Sequence, residues 1–443
     1  MTSPAITDFK FSSLIVFIRD SFNALTDHRQ PSNARTYEMI DAVLSAFSVF
    51  FTQSPSFLDW QRRMQQTQGR NNANSLFGVY KIPSDNQIRN LLDDTPPTEI
   101  HSIINQLVAG LLKFKVLNDY RVAVTGHYHI VLDGTESFSS DQLSCPQCSH
   151  VTQGDATRYF HQVVTPVLVA AGQTQIIPLA PEFVTPQDGS KKQDCEINAA
   201  KRWLERDGGL YFPLGITLQG DDLYCHQPFC RLVLAQGGDF LLVCKDSSHQ
   251  TLYEWLKELS NVPNGIRTLT RTERKGKHTL THTYRFAQAL PLTDDADALL
   301  VNWCEWRITD QDGKQTYFNS WATSHRVTQD NVVALCEIAR CRWKIENENN
   351  NALKTKGYHF EHNFGHGKKH LANTLTTLII LAFLFHIILD LIDHYFQAVR
   401  GALPSRRTFF EHIRALLHYL PFGSWDELMK FMALKNNIHL NSS

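Results

Sequence analysis

This sequence lacks an excess of charge of either sign: 43 lysines and arginines stand against 44 acids, with 20 histidines besides. A general nucleic-acid coat or a polybasic membrane binder carries more, so any nucleic-acid contact has to come from local basic patches. The opening residues, "MTSPAITDFKFSS", hold no charged region followed by a long apolar one, and the 9 scattered cysteines are odd in number. Both observations predict a reducing, cytoplasmic setting. Long hydrophobic runs are missing too. The strongest, "LIILAFLFHIIL" at 378–389, contains His386 and is flanked by Asn373, Asp390 and Asp393. It is too short to cross a bilayer, which predicts a buried helix and no membrane role. Internal repeats and low-complexity tracts are absent as well.

What is present is a chain of 443 residues, 42% hydrophobic, enough for two or three domains. Residues 1–122 read as helical. "SSLIVFIRDSFNAL", "TYEMIDAVLSAFSVFF" and "TEIHSIINQLVAGLLKF" carry apolar residues at helical spacing, and Ser84 is placed to cap a helix beginning at Asp85. The texture changes near 125. "HIVLD", "RYFHQVVTPVLVAA" and "TQIIPLAPEFV" are strand-like, and "QDCEINAAKRWLERDGG" is a helix expected to end on its paired glycines. Strand "GITLQGD", helix "CHQPFCRLVLAQGG" and strand "DFLLVCKD" follow. Three consecutive strands followed by alternation predict an α/β protein with a mixed, RNase H-like sheet over 123–250. A β-rich insertion occupies 251–325, with Asp312-Gly313 as a turn. One continuous helix, "DNVVALCEIARCRWKIENENNNALKTKG", lies in 326–370, and a helical region fills 371–443.

Two apolar strands end on acids: Asp133 in "VLDGT" and Asp221 in "LQGDDLY". A carboxylate at the end of a buried strand is costly unless it is hydrated, hydrogen-bonded or holding a cation. If the two strands are neighbours, the carboxylates repel each other unless a divalent ion sits between them, and magnesium suits such oxygen ligands. Two-metal phosphoryl chemistry asks for a third carboxylate. Glu346 is placed to supply it, four residues after Arg342 and on the same helical face, whereas Glu348 points elsewhere. Each acid also has a plainer reading: Asp-Gly as a turn, Asp222 as a helix cap, Arg342–Glu346 as a surface pair.

Asp133, Asp221 and Glu346 in "RCRWKIEN" resemble the three acids of DDE transposases of bacterial insertion sequences. The closest group has a Tyr-x2-Arg-x3-Glu-x6-Lys signature and a β-rich insertion before the glutamate. In this chain the Tyr position is Ala339 and the Lys position Leu353, with Lys354 one place later. Lys354 and Arg340 are therefore the substitutes for the terminal-phosphate contacts, with Arg342 as a phosphate clamp. The resemblance implies cut-and-paste transposition with two Mg2+ (or Mn2+) ions held by Asp133, Asp221 and Glu346. It also implies a homodimer holding the element's terminal repeats and target DNA, a hairpin at the released ends, N-terminal helices that read the repeats, and a bacterial, nucleoid-associated location. Gly134-Thr135 becomes the turn that leaves room for metal and phosphate, with Glu136 a spectator. Two rival readings use the same acids: another RNase H-like nuclease or resolvase, or an inactive DNA-binding descendant.

Further basic candidates are Arg267, Arg271, Arg274, Lys275, Lys277 and Arg285 in an expected hairpin, opposed by Glu273 alone. The plainer reading of that hairpin is a solvated edge whose charges block aggregation. Trp303, Trp306 and Trp321 lie in the same insertion, where the resemblance implies an aromatic that receives an unstacked base beside the cut; core packing is the plainer reading of each. Lys191, Lys192, Lys201 and Arg202 are candidates for DNA contact, as are Lys368 and Lys369 within the histidine-rich "GYHFEHNFGHGKKH". Cys145-x2-Cys148 is a weak zinc signal because a structural site needs four ligands, and His161 or the Cys225/Cys230 pair are the candidate partners.

Overall fold

The structure, a computed structural model, describes residues 6–29, 36–186, 194–276 and 278–438, and leaves the side chain of Lys275 undescribed. The expected helical start comprises α1 Phe11–Phe22, α2 Met39–Phe51, α3 Phe57–Met64, α4 Thr67–Phe77, α5 Asp85–Leu92 and α6 Thr98–Lys113. Ser84 caps α5 as its position predicts, its hydroxyl accepting from the Gln87 N–H.

Strands β1 Arg121–Val122 and β2 His127–Val131 begin the α/β part. They are followed by β3 Gly134–Ser140, β4 Ser149–Gln153, β5 Ala156–Val164, β6 Val167–Val169, β7 Ile177–Pro178 and β8 Glu182–Val184. Then come α7 Glu196–Tyr211, β9 Ile216–Gly220, α8 Gln227–Ala235, β10 Asp239–Val243 and α9 Gln250–Ser260. The insertion supplies β11 Arg267–Lys275, β12 His278–Pro291, β13 Leu300–Thr309 and β14 Gln315–Thr323.

The result is an α/β protein built on a mixed ten-stranded sheet in the order β11-β12-β13-β14-β10-β9-β2-β6-β7, with β1 pairing β2. At its centre β2, β9 and β10 are parallel, and β6 runs antiparallel to β2. The insertion is a continuation of this sheet, because β14 pairs directly with β10. Asp312-Gly313 turns between β13 and β14 as expected, Gly313 having φ +77°.

Four sequence expectations are corrected. The run "RYFHQVVTPVLVAA" is two strands: β5 joins a second sheet of β3, β4, β5 and β8, while β6 joins the main one. Pro166, which has no N–H to donate, stands at the crossover, and Pro181 likewise separates β7 from β8. Gly134-Thr135 is therefore the start of strand β3, not a turn. The glycines Gly208-Gly209 do not end α7, which runs on to Tyr211; Gly208 is needed because a Cβ there would collide with Gln236 and Phe212.

The fourth correction concerns the helix after the insertion. It is interrupted: α10 Val332–Arg340, then a π-helical turn Ile345–Asn350, then α11 Asn351–Thr355. Lys344 sits buried at the break, donating to the carbonyls of Ala170 and Gln173.

The chain closes with α12 Leu371–Ile392, α13 His394–Ala402, α14 Arg406–Tyr419 and α15 Trp425–Lys435. By length and composition α12 alone among the described residues is apolar enough to cross a membrane, but 83% of its most apolar stretch is buried inside the protein. It packs on α2, α6 and β7, so its apolar surface serves the protein's own core, as the run at 378–389 predicts. The helix is ten residues longer than that run because Leu371–Thr377 at its start is also mostly buried.

Candidate active site

In the parallel pair of β2 and β9, Val131 lies beside Gln219, and the Leu132 N–H donates to the Gln219 carbonyl at 2.9 Å. Continuing that register brings Asp133 beside Asp221 at the carboxyl ends of two central strands. In open α/β sheets this is where ligands bind. Gly220, the last residue of β9, allows the close approach of the Tyr224 ring, which a Cβ would meet at 2.6 Å. The following Asp221 carboxylate accepts from the Leu223 N–H at 2.9 Å.

Capping of the short 3-10 turn Asp222–Tyr224 thus falls to Asp221, not to Asp222. Asp222 is occupied elsewhere, accepting from the Lys245 N–H at 2.7 Å and from the Ser248 hydroxyl, with His249 at 3.3 Å. That leaves Asp221 as the acid of the pair that faces Asp133.

The Asp133 carboxyl is pushed up to about 7, first by burial, then by the negative charge of Glu196, with Glu346 and Asp221 acting in the same direction and Arg342 opposing them. Four acids therefore share one electrostatic environment, one more than the sequence suggests. Glu196, the first residue of α7, accepts from the Gly134 N–H at 2.9 Å and from the Tyr224 hydroxyl at 2.6 Å. A Cβ at Gly134 would collide with this carboxylate, so glycine is required where β3 begins. Burial and the charge of Asp221 raise the Glu196 carboxyl as well. Nothing in "QDCEINAAKRW" marks Glu196 as more than a helix-start acid, since no strand leads into it.

Asn350 is the other residue that sequence reasoning misses. The π-helical turn adds a residue per turn and carries Asn349 and Asn350 inward, a feature that recurs at functional sites. Asn350 Nδ2 donates to Asp133 Oδ2 at 2.8 Å, while its Oδ1 accepts from Thr165 and Asn349, both at 2.9 Å. Replacing Asn350 by Leu should cost about 1–3 kcal/mol, read from chemical denaturation, because Thr165, Asn349 and Asp133 all lose a partner.

Glu346 lies at the start of the same turn, half-exposed, with Arg342 Nη2 2.7 Å from its Oε1, so the expected shared face is present. The oxygens of Asp133, Asp221 and Glu346 are not all drawn within 4.8 Å of one another. Trp343, next to Arg342, exposes 42% of its surface at the rim.

The basic candidates are dispersed. Arg340 is stacked over Tyr317 and Trp306, 4.6 and 5.3 Å from their ring centres. Lys354 pairs with Glu361 at 2.8 Å, and Lys369 with Asp94 at 2.5 Å, while Lys368 is exposed. Arg271 and Arg274 are exposed on edge strand β11. That strand is six positions from β2 in the sheet, about 30 Å away at roughly 4.8 Å per strand, so the hairpin is remote from the carboxylates.

The Lys275 side chain and Lys277, like Lys191 and Lys192, lie outside the described residues. Arg202 is tied to Asp194 and Glu182. Trp303, Trp306 and Trp321 are all buried. Sequence reasoning also passes over a cleft of about 970 Å³ beside the π-helical turn, lined by Lys354, Lys356, Arg406, Arg407 and Arg414 together with Glu348.

Of the candidate zinc partners, the structure brings His161 to Cys145 and Cys148 and adds His366. Cys225 sits instead with Cys244 and His249. Compared with models of known protein families and with curated protein sequences, the chain matches none.

Proposed function

We propose that this chain is a DDE-type DNA transposase that cuts the ends of an insertion sequence and joins them to target DNA. The observation that carries the reading is the half-buried Asp133, raised by desolvation and by three further acids, at the mouth of two adjacent parallel strands. Carboxylates gathered in one place repel one another, a poor arrangement for stability and a good one for a hard divalent cation. The order β7-β6-β2-β9-β10, with β6 antiparallel to both of its neighbours and β7, β9 and β10 parallel to β2, agrees with an RNase H-like core. The basic cleft beside Glu348 offers a path for a DNA backbone.

The donor atoms are all oxygen, which fits Mg2+ or Mn2+. Asp133, Asp221 and Glu346 would hold the ions, with Glu196 close behind. Bound there, the metal supplies activation of an attacking oxygen and stabilisation of a leaving one. The chain's own residues do the rest. Asn350 orients Asp133, and the Leu223 N–H orients Asp221. Arg342 neutralises Glu346 at the rim and is in reach to bind a phosphate when that pair opens. Trp343 offers a flat surface for an unpaired base beside the cut.

The test is cleavage and joining by the purified chain, using DNA from either side of its own coding region as substrate. Nicks at defined ends followed by covalent joining to a second duplex support a transposase. Cleavage of branched DNA without joining would favour the resolvase reading, and binding without cleavage the inactive descendant.

Metal affinity also has an expected pH dependence. A proton on Asp133 competes with the cation up to about pH 7, so affinity for Mn2+ measured by calorimetry should rise as pH increases through 7 and then level off. Proton release on binding should fade over the same range.

A further inference from the structure

Cys145, Cys148, His161 and His366 turn one ligand atom each toward a common centre. The two sulfurs are 3.8 Å apart, His161 Nε2 is 3.4 Å from each of them, and His366 Nε2 is 3.3 Å from Cys148 Sγ. A tetrahedral zinc with bonds of about 2.3 Å to sulfur and about 2.05 Å to nitrogen requires edges of about 3.8 Å between sulfurs and about 3.5 Å from sulfur to nitrogen. The observed separations are close to those edges. They are far from the sulfur–sulfur bond of a disulfide, about 2.05 Å.

The local backbone is shaped for the same purpose. The Cys148 N–H closes a turn on the Cys145 carbonyl at 3.1 Å, and the Gln147 N–H points at Cys145 Sγ at 3.4 Å. Donors of this kind stabilise thiolates bound to a metal. Phe138 covers one side, its ring 4.6 Å from that of His366. Two other groups hold three potential ligands each, Cys225–Cys244–His249 and His127–Asp239–His325. Among the described residues only the group of Cys145, Cys148, His161 and His366 has four donors, two thiolates and two imidazoles.

We propose that these four residues form a structural Zn2+ site that fastens the second sheet to the segment following Glu346. With four protein ligands no position remains for substrate, which makes the site structural and not catalytic. Its ligands come from three places: the turn before β4, strand β5, and the stretch between α11 and α12. That last stretch is held from the other side by the N-terminal helices. Asp93 accepts from the backbone N–H groups of Lys368, Lys369 and Leu371, and Arg89 donates to the Phe364 carbonyl at 2.7 Å. The zinc closes this chain of contacts from the helical layer to the sheet that begins beside Asp133. Lys368 and Lys369 then owe their place to this anchorage.

The test is metal content of the full chain purified under reducing conditions, and it does not depend on any DNA activity. The expected result is about one zinc per chain, replaceable by Co2+ with the intense visible absorption of a tetrahedral thiolate site. Cys148→Ser and His366→Ala should each lose most of it. His366→Cys should restore it with stronger sulfur-to-cobalt absorption, which separates ligand loss from misfolding. Cys225→Ala should keep it. No zinc in wild-type protein, zinc retained by the Cys145→Ser/Cys148→Ser double variant, or zinc lost in Cys225→Ala would each overturn the proposal.

Discussion

Replacing Asp133 by Asn should give a protein that is more stable without metal and unable to cut DNA. In the unfolded chain this carboxyl ionises near 3.8, whereas in the folded protein it keeps its proton to about 7. Between those values the folded state binds more protons than the unfolded one, so Asp133 lowers stability progressively as pH rises, and the full cost is present above 7. Asparagine carries no charge and can still accept from Asn350 through its amide oxygen, so the cost is removed. A gain of about 1–3 kcal/mol at pH 8 is expected, discounted from the full shift because ordered water and local relaxation soften burial.

The gain should vanish near pH 4, where the wild-type carboxyl is protonated in the folded state and half-protonated in the unfolded one. Added Mg2+ or Mn2+ should stabilise the wild type and leave the variant unchanged. Strand cleavage should fall by about a thousandfold or more, because a ligand of the activating ion contributes several kcal/mol to the transition state. Denaturant titrations at two pH values and a cleavage assay make the comparison. A variant that is less stable at pH 8, or that cuts at the wild-type rate, would sink the proposed role.

Phe51→Ala should be the most damaging single substitution among the helices. Phe51 is fully buried, and its ring centre lies 5.0 Å from Phe11, 5.9 Å from Phe47, 5.8 Å from Phe77, 4.6 Å from His386 and 5.3 Å from Trp425. Those rings belong to α1, α2, α4, α12 and α15, so the first and last parts of the chain meet at this residue. Removing a phenyl group there costs about 3–5 kcal/mol through lost burial and the cavity left behind. Both terminal helical regions should loosen together, seen as a lower denaturation midpoint and faster amide exchange in α2 and α12. Val16, 57% exposed on α1, is the contrast, and Val16→Ala should change stability by less than about 0.5 kcal/mol. An effect at Phe51 below about 1 kcal/mol would show that the two regions are not one core.

Parts of this architecture were legible because their causes are local. An apolar run stopped by Asp133 or Asp221 marks a strand end, since the buried backbone must pair while a carboxylate is costly to bury without a partner. Arg342 and Glu346 meet because four residues bring side chains onto one helical face, and the π-helical turn Ile345–Asn350 has only begun at Glu346. Ser84 caps α5 for an equally local reason. The buried course of α12 followed from the interruptions around its apolar run. What was not legible depends on partners far away in the chain. Glu196 looks like any acid in a first helical turn until α7 is laid against β3 and Tyr224. The split at Pro166 needed a second sheet to receive β5. Asn350 reaches Asp133 only because an extra residue in the turn rotates it inward.

By itself, then, the sequence determined the α/β alternation, the helical ends, and three acids at the ends of elements that could bear them. These rest on periodicity, turn chemistry and the cost of buried charge, all of which act over a few residues. The tertiary structure decided which acids face one another, that Asp222 belongs to the loop at Lys245 and Ser248 while Asp221 faces Asp133, and that the insertion extends the main sheet. It also decided that Cys145 and Cys148 meet a histidine more than two hundred residues away, at His366. Spacing cannot encode such meetings, because they are set by how whole layers pack, and packing is a property of the buried surface of the entire chain.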